Sequence, residues 1–371
     1  MNRLFNKVDG LMNILLGGPV GGVGTDVRDR KLIRDHLEKN NKMVSTSSPR
    51  IFLAVKDVNW EKAGLVDSWK EWDSVHYDWG SEFDQYAPDW QSLGKAAFNK
   101  RLLSLVGEAH KEKPLSLFFA YLSGRWVSTA TIEAINRMGI ITVNLGFDDR
   151  HKYWGYKEGG LWTGNADIAK HFDINLTLQD PRDIRKYRLT GGRGIFSYPG
   201  GNEDSFIYRP GTEKKYPVSF IGKRYGLREE YVDFLKDAGL NPLAAGLDWP
   251  AGPVSSEEMN DIYAQSLLTL GFGFVGTSRT KTGLKGRDFE IPLTGTLYLT
   301  SYNKDLAECF REGEEIEFYR SREEMAEKVL YYKNHPEEAI AKGLRGRERS
   351  LADHLWSSRW KNLLELCGRD I

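Results

Sequence analysis

The stretch VSFIGKRYGLREEYVDFLKDAGLNPLAAG, residues 218–246, decides the fold. It begins with an apolar run, 218–222, that is typical of a buried strand, and a basic loop then leads into a helical pattern over 227–239 that ends at a glycine. A second short apolar run follows at 241–246. Strand, helix and strand in this order predict two parallel strands joined by a right-handed crossover.

The same alternation extends along the chain on both sides of this stretch, so we predict an α/β protein. A length of 371 residues exceeds one ordinary core, and a turn-rich bridge over 198–217 separates two α/β halves. The predicted segments are an extension over 1–11, an N-terminal Rossmann-like domain over 12–200, a linker over 201–216, a C-terminal Rossmann-like domain over 217–349 and a final helix over 350–371.

Composition argues against several classes of protein. The 52 basic and 52 acidic residues give a formal net charge of zero, which argues against a non-specific nucleic-acid binder. Two cysteines, Cys309 and Cys367, do not imply a disulfide framework, so a cytoplasmic location is expected. No apolar run approaches the ~20 residues of a membrane helix. For residues 1–11, a short helix that touches a membrane surface is an alternative to a plain extension.

A glycine-rich loop, GGPVGGVGTD at 17–26, follows an apolar run predicted as a strand at 13–18. Gly22 and Gly24 would let the backbone come close to a bound group, and the N-terminus of the following helix favours negative charge. The loop lacks a strict G-x-G-x-x-G and a G-x-x-x-x-G-K, which disfavours a nucleotide-dependent oxidoreductase. The alternative is a glycine turn that binds nothing.

A basic loop, GKRYGLR at 222–228, follows the first strand of the second half. Cationic side chains here suit a diphosphate, which needs neutralisation and several hydrogen-bond donors. The alternative is a solvated basic loop. The candidate donor-binding residues of this loop are Gly222, Lys223, Arg224 and Arg228.

A second basic motif, LKGRDFEIPLTG at 284–295, precedes an apolar strand pattern. Lys285 and Arg287 again suit phosphate. Glu290 would repel a phosphate, but a carboxylate can accept hydrogen bonds from both vicinal hydroxyls of a ribose. Gly295 would let the backbone approach the ligand. The alternative for Arg287 and Glu290 is an i,i+3 salt bridge on a helix surface.

Asp148 and Asp149 follow a predicted strand in FDDRHKYW, residues 147–154. Adjacent aspartates cannot both point inward and no matching His or Asp partner stands out, so we expect no metal site, although His151 is near. A strand-end carboxylate that positions or deprotonates an acceptor hydroxyl is the sharper hypothesis. The tryptophans of segment 58–90 are expected to be core, with stacking on an acceptor sugar as the alternative.

Several spaced motifs in order resemble a known family. SFIGKRYGLREEYVDFLKDAGL, LKGRDFEIPLTGTLYLTSYNKDLAECF and DHLWSSRW, which together span residues 219–360, resemble the C-terminal half of CgeB-like (spore-maturation-type) GT-B glycosyltransferases. GGPVGGVGTDVRDRKLIRDHL is similar to the glycine-rich opening of the retaining, sucrose-synthase-like group of GT-B enzymes.

The resemblance implies two Rossmann-like domains that face each other across a cleft, with the C-terminal helix crossing back to the first domain. It implies a nucleotide-sugar donor, expected to be a UDP-sugar, that is held by the C-terminal domain as a substrate without cofactor or metal. The acceptor, held by the N-terminal domain, would be a glycan, a lipid-linked sugar or a protein.

The resemblance also implies roles for residues. Lys223, Arg224 or Arg228 would match the family's basic loop. Lys285 and Arg287 would match the basic part of the second motif, and Glu290 its ribose-binding glutamate.

Two departures from the family bear on the stereochemistry. Thr282 stands where the retaining group often has a first glutamate, and Asp148 or Asp149 where it often has a histidine. Retention is favoured on overall likeness, with inversion through an aspartate base as the alternative. A non-catalytic nucleotide- or sugar-binding coat or scaffold protein of the same fold is the competing function.

Overall fold

A computed structural model describes residues 23–45 and 48–368. The chain divides into an N-terminal unit, Met1–Tyr198 with Arg359–Ile371, and a C-terminal unit, Pro199–Ser358. Gly22, the extension over 1–11 and the strand predicted at 13–18 lie outside the described residues.

The N-terminal unit is built on a parallel sheet, as the alternation of strands and helices predicts. Its inner strands are mostly apolar and are buried along their whole length, which is typical of a sheet covered on both faces. The described strands are β1 (Arg50–Ala54), β2 (Asp73–Tyr77), β3 (Leu117–Ala120), β4 (Ile141–Gly146), β5 (Lys157–Glu158), β6 (Leu161–Trp162), β7 (Ile174–Thr177) and β8 (Gly194–Phe196). The sheet order is β2-β1-β3-β4-β7-β8, and β5 and β6 form an antiparallel hairpin.

Helices connect these strands. The α-helices are α1 (Val23–Lys39), α2 (Asn59–Glu61), α3 (Lys95–Glu112), α4 (Thr129–Arg137), α5 (Asp149–Lys152) and α6 (Ile184–Leu189). Single π or 3-10 turns occupy Lys62–Val66, Asp67–Trp69, Trp90–Gly94, Ala169–His171 and Pro181–Asp183.

Three of the five tryptophans of segment 58–90 are core residues, which confirms the expectation for these three, whereas Trp60 and Trp72 are half-buried. Trp69, Trp79 and Trp90 are at most 4% exposed. Trp69 stacks on Trp360 with ring centroids 4.7 Å apart, and the Trp360 indole N–H donates to Ser68 Oγ at 2.7 Å. The end of the chain therefore supplies part of the core of the N-terminal unit.

The C-terminal unit has a second parallel sheet. Its strands are β9 (Tyr216–Ile221), β10 (Leu243–Ala245), β11 (Ser266–Gly271), β12 (Leu297–Ser301) and β13 (Glu317–Tyr319), in the order β10-β9-β11-β12-β13. Its helices are α7 (Arg228–Asp237), α8 (Ser256–Gln265), α9 (Arg287–Leu293), α10 (Lys304–Ala307), α11 (Arg322–Asn334) and α12 (Pro336–Asp353).

Two helices occupy this part of the chain instead of the one final helix predicted over 350–371. After α12, a new helix, α13 (Trp356–Cys367), begins. Between them, the Gly201 N–H donates to the His354 carbonyl at 2.9 Å and the Trp356 N–H donates to the Gly201 carbonyl at 3.0 Å. These bonds to a distant glycine replace the helical ones, and the buried His354 ring contacts the Cys309 carbonyl at 3.0 Å.

Candidate functional site

A cavity of about 410 Å³ lies at the carboxyl ends of β1, β3 and β4 in the N-terminal unit. Lys56 enters it after β1, Tyr121 after β3, and Asp148 and Asp149 after β4. Ligands of parallel α/β sheets bind at this edge. The structure therefore brings the predicted aspartates to a pocket.

The two aspartates diverge. Asp149 is 1% exposed, and its carboxylate accepts hydrogen bonds from the Asn165 amide at 2.9 Å and the Tyr187 hydroxyl at 2.6 Å. Burial raises the pKa of Asp149, and these hydrogen bonds oppose the rise. Asp148 is partly exposed and pairs with Lys152 at 2.6 Å. As expected for adjacent residues, one carboxylate serves the interior while the other faces solvent.

Glu61 is a candidate that the sequence analysis missed. It ends α2 and lines the same cavity. Burial raises its pKa to about 7, a rise that Lys56 opposes and Asp148 adds to. A carboxyl that titrates near neutrality in a pocket suits proton transfer. Segment 58–90 carries no periodic pattern, so its sequence gave no local signal for this residue.

Aromatic rings and cations form the rest of the pocket wall. The Lys56 ammonium lies 4.4 Å from the Trp79 ring centroid and 5.3 Å from that of Trp126. Arg125 lies 5.5 Å from the ring of Tyr86, whose side chain is 76% exposed. Rings and cations together suit a polar ligand with flat apolar faces.

In the C-terminal unit, two predicted arginines converge on one ring. The guanidinium carbons of Arg228 and Arg287 each lie 5.4 Å from the centroid of Phe220. Gly222 makes room for this meeting, because a Cβ there would lie 2.7 Å from Nη2 of Arg287. The loop after β9 and the first turn of α9 therefore form one basic site.

Arg228 is held firmly in this site. It is 6% exposed, donates to the Lys223 carbonyl at 2.8 Å, and lies 4.1 Å from the ring centroid of Tyr225. Burial lowers its pKa, and repulsion by Arg287 lowers it further. Neither arginine has a carboxylate within ion-pair distance among residues 23–45 and 48–368. No ion pair therefore offsets this repulsion, which favours an anionic ligand.

Glu290 lies beside the arginines, yet the alternative of a surface salt bridge is wrong. Glu290 is 9% exposed, and no Arg287–Glu290 ion pair forms in the described part of the chain. A Cβ at Gly286 would lie 2.8 Å from Oε1 of Glu290, so the glycine leaves space for this carboxylate. Burial raises the pKa of Glu290 to about 7, with Arg287 opposing the rise and Asp288 adding to it.

Asp288 fixes the start of α9. Its carboxylate accepts a hydrogen bond from the Lys285 backbone N–H at 2.7 Å and another from the Tyr298 hydroxyl at 2.6 Å. The loop that carries Lys285 is thereby tied to β12, and Arg287 and Glu290 follow within one turn.

Two other predicted cations lie at the surface of the same loop. Lys223 is 3.6 Å from Asp248, with both side chains more than half exposed. Arg224 pairs with Glu229 and lies 5.6 Å from the Trp249 ring. Unlike Arg228, both are neutralised locally by a carboxylate.

The predicted glycines fall in different places. Gly222 borders Arg287, but Gly295 follows α9 at the amino end of β12, away from the carboxyl edge of the sheet. A Cβ at Gly295 would lie 2.7 Å from the Tyr208 ring, and its carbonyl approaches Gly343 of α12. The structure does not bring Gly295 together with the cations. Gly24 lies in the first turn of α1.

The described residues hold no group of three or more His, Cys, Asp or Glu side chains placed to bind a metal ion. None of their helices is long and apolar enough to cross a membrane. Cys309 and Cys367 are buried, and within the described residues neither forms a disulfide.

The sequence of the C-terminal unit matches a known family. Residues 224–365 match a family model described as glycosyl transferase-like. No curated protein matches the sequence.

Solved structures resemble the fold at low sequence identity. Sucrose-phosphate synthase from Thermosynechococcus elongatus gives a TM-score of 0.58 at 11% identity, over 86% of this chain and 98% of that one. HepE from Anabaena, solved with UDP and glucose, gives 0.57 at 12%, over 86% and 99%. A glycosyltransferase from Rickettsia africae gives 0.53 at 11%, over 92% and 93%.

These matches confirm the predicted α/β architecture of two Rossmann-like domains of the GT-B type. The family match over residues 224–365 agrees with the resemblance of the C-terminal half of the chain to glycosyltransferases. The finer assignment to the CgeB-like group stays a prediction.

Proposed function

We propose that the chain transfers a sugar from a nucleoside diphosphate sugar to a hydroxyl acceptor, without a metal cofactor. The convergence of Arg228 and Arg287 on Phe220 carries this proposal. Two cations held together without a neutralising carboxylate bind a dianionic or trianionic group strongly.

The chemistry of the donor matches these residues. Glycosyl transfer develops positive charge at the anomeric carbon and negative charge on the departing diphosphate. Arg228 and Arg287 would stabilise the leaving group electrostatically, in the place where other enzymes use a metal ion. Glu290, next to Arg287, would accept hydrogen bonds from the two ribose hydroxyls. Lys285 starts the same motif and would add charge at the phosphates.

Uridine is the proposed nucleoside of the donor. HepE, which shares the fold, was solved with UDP and with UDP-glucose. We extend this donor class to the present chain as part of the proposal.

The acceptor would bind in the cavity at β1, β3 and β4, where aromatic rings and polar groups meet. A glycan, a lipid-linked sugar and a protein glycan each offer a hydroxyl and apolar ring faces. Overall likeness favours retention of the anomeric configuration, whereas a carboxyl group in the acceptor pocket favours inversion.

One assay tests the proposal. The protein is incubated with a panel of nucleotide sugars, and release of the free nucleoside diphosphate is measured for the wild type and for Arg287→Ala. We expect release from one donor and a strong loss in the variant. Binding of a donor without any turnover would favour a non-catalytic binding protein, and tight binding of a nicotinamide cofactor would favour an oxidoreductase.

A further inference from the structure

We infer that Glu61 is the general base that accepts the proton of the acceptor hydroxyl in the N-terminal pocket, an inference that rests on the proposed glycosyl transfer. Glu61 ends the three-residue helix α2, which follows β1. Its neighbour Trp60 packs on Tyr121 after β3, with ring centroids 5.6 Å apart, and on Phe147 after β4, at 4.8 Å. One short helix therefore lies across the ends of three strands and places Glu61 at the cavity.

Three carboxyl groups line this cavity, and their partners differ. Asp149 is buried and accepts two hydrogen bonds from Asn165 and Tyr187. Asp148 is paired with Lys152. Within residues 23–45 and 48–368, Glu61 has no lysine, arginine or histidine within ion-pair distance. Of the three carboxyl groups, Glu61 is therefore the one that is neither paired with a lysine, like Asp148, nor held by buried side-chain hydrogen bonds, like Asp149.

The charged surroundings of Glu61 suit a base that works near neutral pH. The groups that act on it or share its field are Lys56 after β1, Tyr121 after β3, and Asp148 and Asp149 after β4. Burial raises the pKa of Glu61 to about 7, and Asp148 contributes to the rise while Lys56 limits it. A base is most effective when its pKa lies near the pH at which it works.

The step balances as a direct displacement. The acceptor oxygen forms a bond to the anomeric carbon while its proton passes to a Glu61 carboxylate oxygen. The bond between the anomeric carbon and the phosphate oxygen breaks, and the nucleoside diphosphate leaves with the electron pair. Such a displacement inverts the anomeric configuration, in contrast to the retention that overall likeness favours.

The test measures nucleoside diphosphate release from the donor found in the assay above, with para-nitrophenyl glycosides as acceptor probes, between pH 5 and 9. For the wild type, kcat/KM should rise with pH through about 7, because Glu61 must be ionised. Glu61→Gln should lower kcat by roughly 10²–10⁴-fold and remove this rising limb of the pH profile. Asp148→Asn should keep the rising limb but move it to lower pH, because the loss of the Asp148 charge lowers the pKa of Glu61.

Binding of UDP, measured by calorimetry, is the control for folding and for the donor site. It should be equal in the wild type and in Glu61→Gln. If Glu61→Gln keeps the wild-type rate and pH limb, or if the product retains the anomeric configuration, the role of Glu61 is wrong while the proposed function stands. If the wild type releases no nucleotide from any donor, both proposals fail. If Glu61→Gln does not fold, Asp148→Asn tests the role of Glu61 instead. A rise of kcat/KM that moves to lower pH supports this role, and a rise that stays in place or moves to higher pH contradicts it.

Discussion

Glu61 and Glu290 invite comparison, because each lies at the carboxyl edge of a parallel sheet and each has a pKa raised to about 7 by burial. Their neighbours differ. Glu290 lies beside Arg287, next to a site with two arginines, whereas Glu61 lies near Asp148 in a pocket walled by aromatic rings.

The difference shows that similar proton affinities can serve different purposes. A carboxyl beside cations becomes charged when donor hydroxyls bind it, and it then contributes recognition. A carboxyl in a pocket with other acidic groups exchanges its proton readily and suits catalysis. Changes in the basic site should therefore affect the donor, and changes in the aromatic pocket should affect the acceptor.

Among the changes in substrate binding, the largest effect is expected from Arg287→Ala. The change removes one of two cations that would hold the diphosphate, and the loss of one partner of such a pair costs about 2–5 kcal/mol. Binding of UDP should weaken on the order of 100-fold, while the KM for the acceptor should change little. Arg345→Ala, which removes an exposed arginine of α12, is the matched control, and calorimetry measures both. Equal affinities in the two variants would contradict the assignment of the basic site.

A smaller effect is expected from Glu290→Gln. The loss of charge-assisted hydrogen bonds to the ribose should weaken UDP binding by about 1.5–3 kcal/mol, or roughly 10–150-fold. Glu290→Asp, which keeps the charge, should lose less. Affinity that does not change in Glu290→Gln would break the ribose assignment.

Glu290→Gln should also change how the free energy of unfolding depends on pH. The pKa of Glu290 in the folded state, about 7, lies above the ordinary value of 4.5. The protonated group therefore stabilises the fold fully below about pH 4.5, and this contribution is lost as the pH rises to about 7. At pH 8 the free energy of unfolding of Glu290→Gln should exceed that of the wild type, on the order of 1–3 kcal/mol, and at pH 4 the two should agree. Urea unfolding measures the difference.

The smallest effect is expected from Tyr86→Ala in the other unit. Tyr86 is an exposed ring at the acceptor cavity, so its loss should raise the acceptor KM roughly 2–10-fold and leave UDP binding unchanged. Tyr86→Phe keeps the ring and should behave like the wild type. Weaker UDP binding in Tyr86→Ala, with an unchanged acceptor KM, would contradict the assignment of the acceptor to the N-terminal cavity.

The basic site could be predicted from sequence because its residues lie in two short loops. A loop that follows a parallel strand reaches the carboxyl edge whatever the details of packing, so Arg228 and Arg287 could be assigned to the same edge. Their distinction from Lys223 and Arg224 could not, since it depends on which side chains turn inward and which meet a carboxylate.

Features set by distant contacts escaped prediction. Glu61 gains its position from Trp60 packing on residues of two other strands. The edge strand β2 starts with two polar residues and carries only Val75 and Tyr77 as an apolar alternation, which is too short a pattern to predict a strand, so its pairing with β1 defines it. The break before α13 depends on Gly201, which lies more than a hundred residues earlier.

The stacking of Trp360 on Trp69 has a consequence for biosynthesis. A nascent chain can assemble its middle portion, Pro199–Ser358, while translation continues. The N-terminal unit must wait with an unfilled interior until the codons for Trp360 and its neighbours are read. Premature termination just before Arg359 would therefore harm the N-terminal unit more than the C-terminal unit, which is made after most of it.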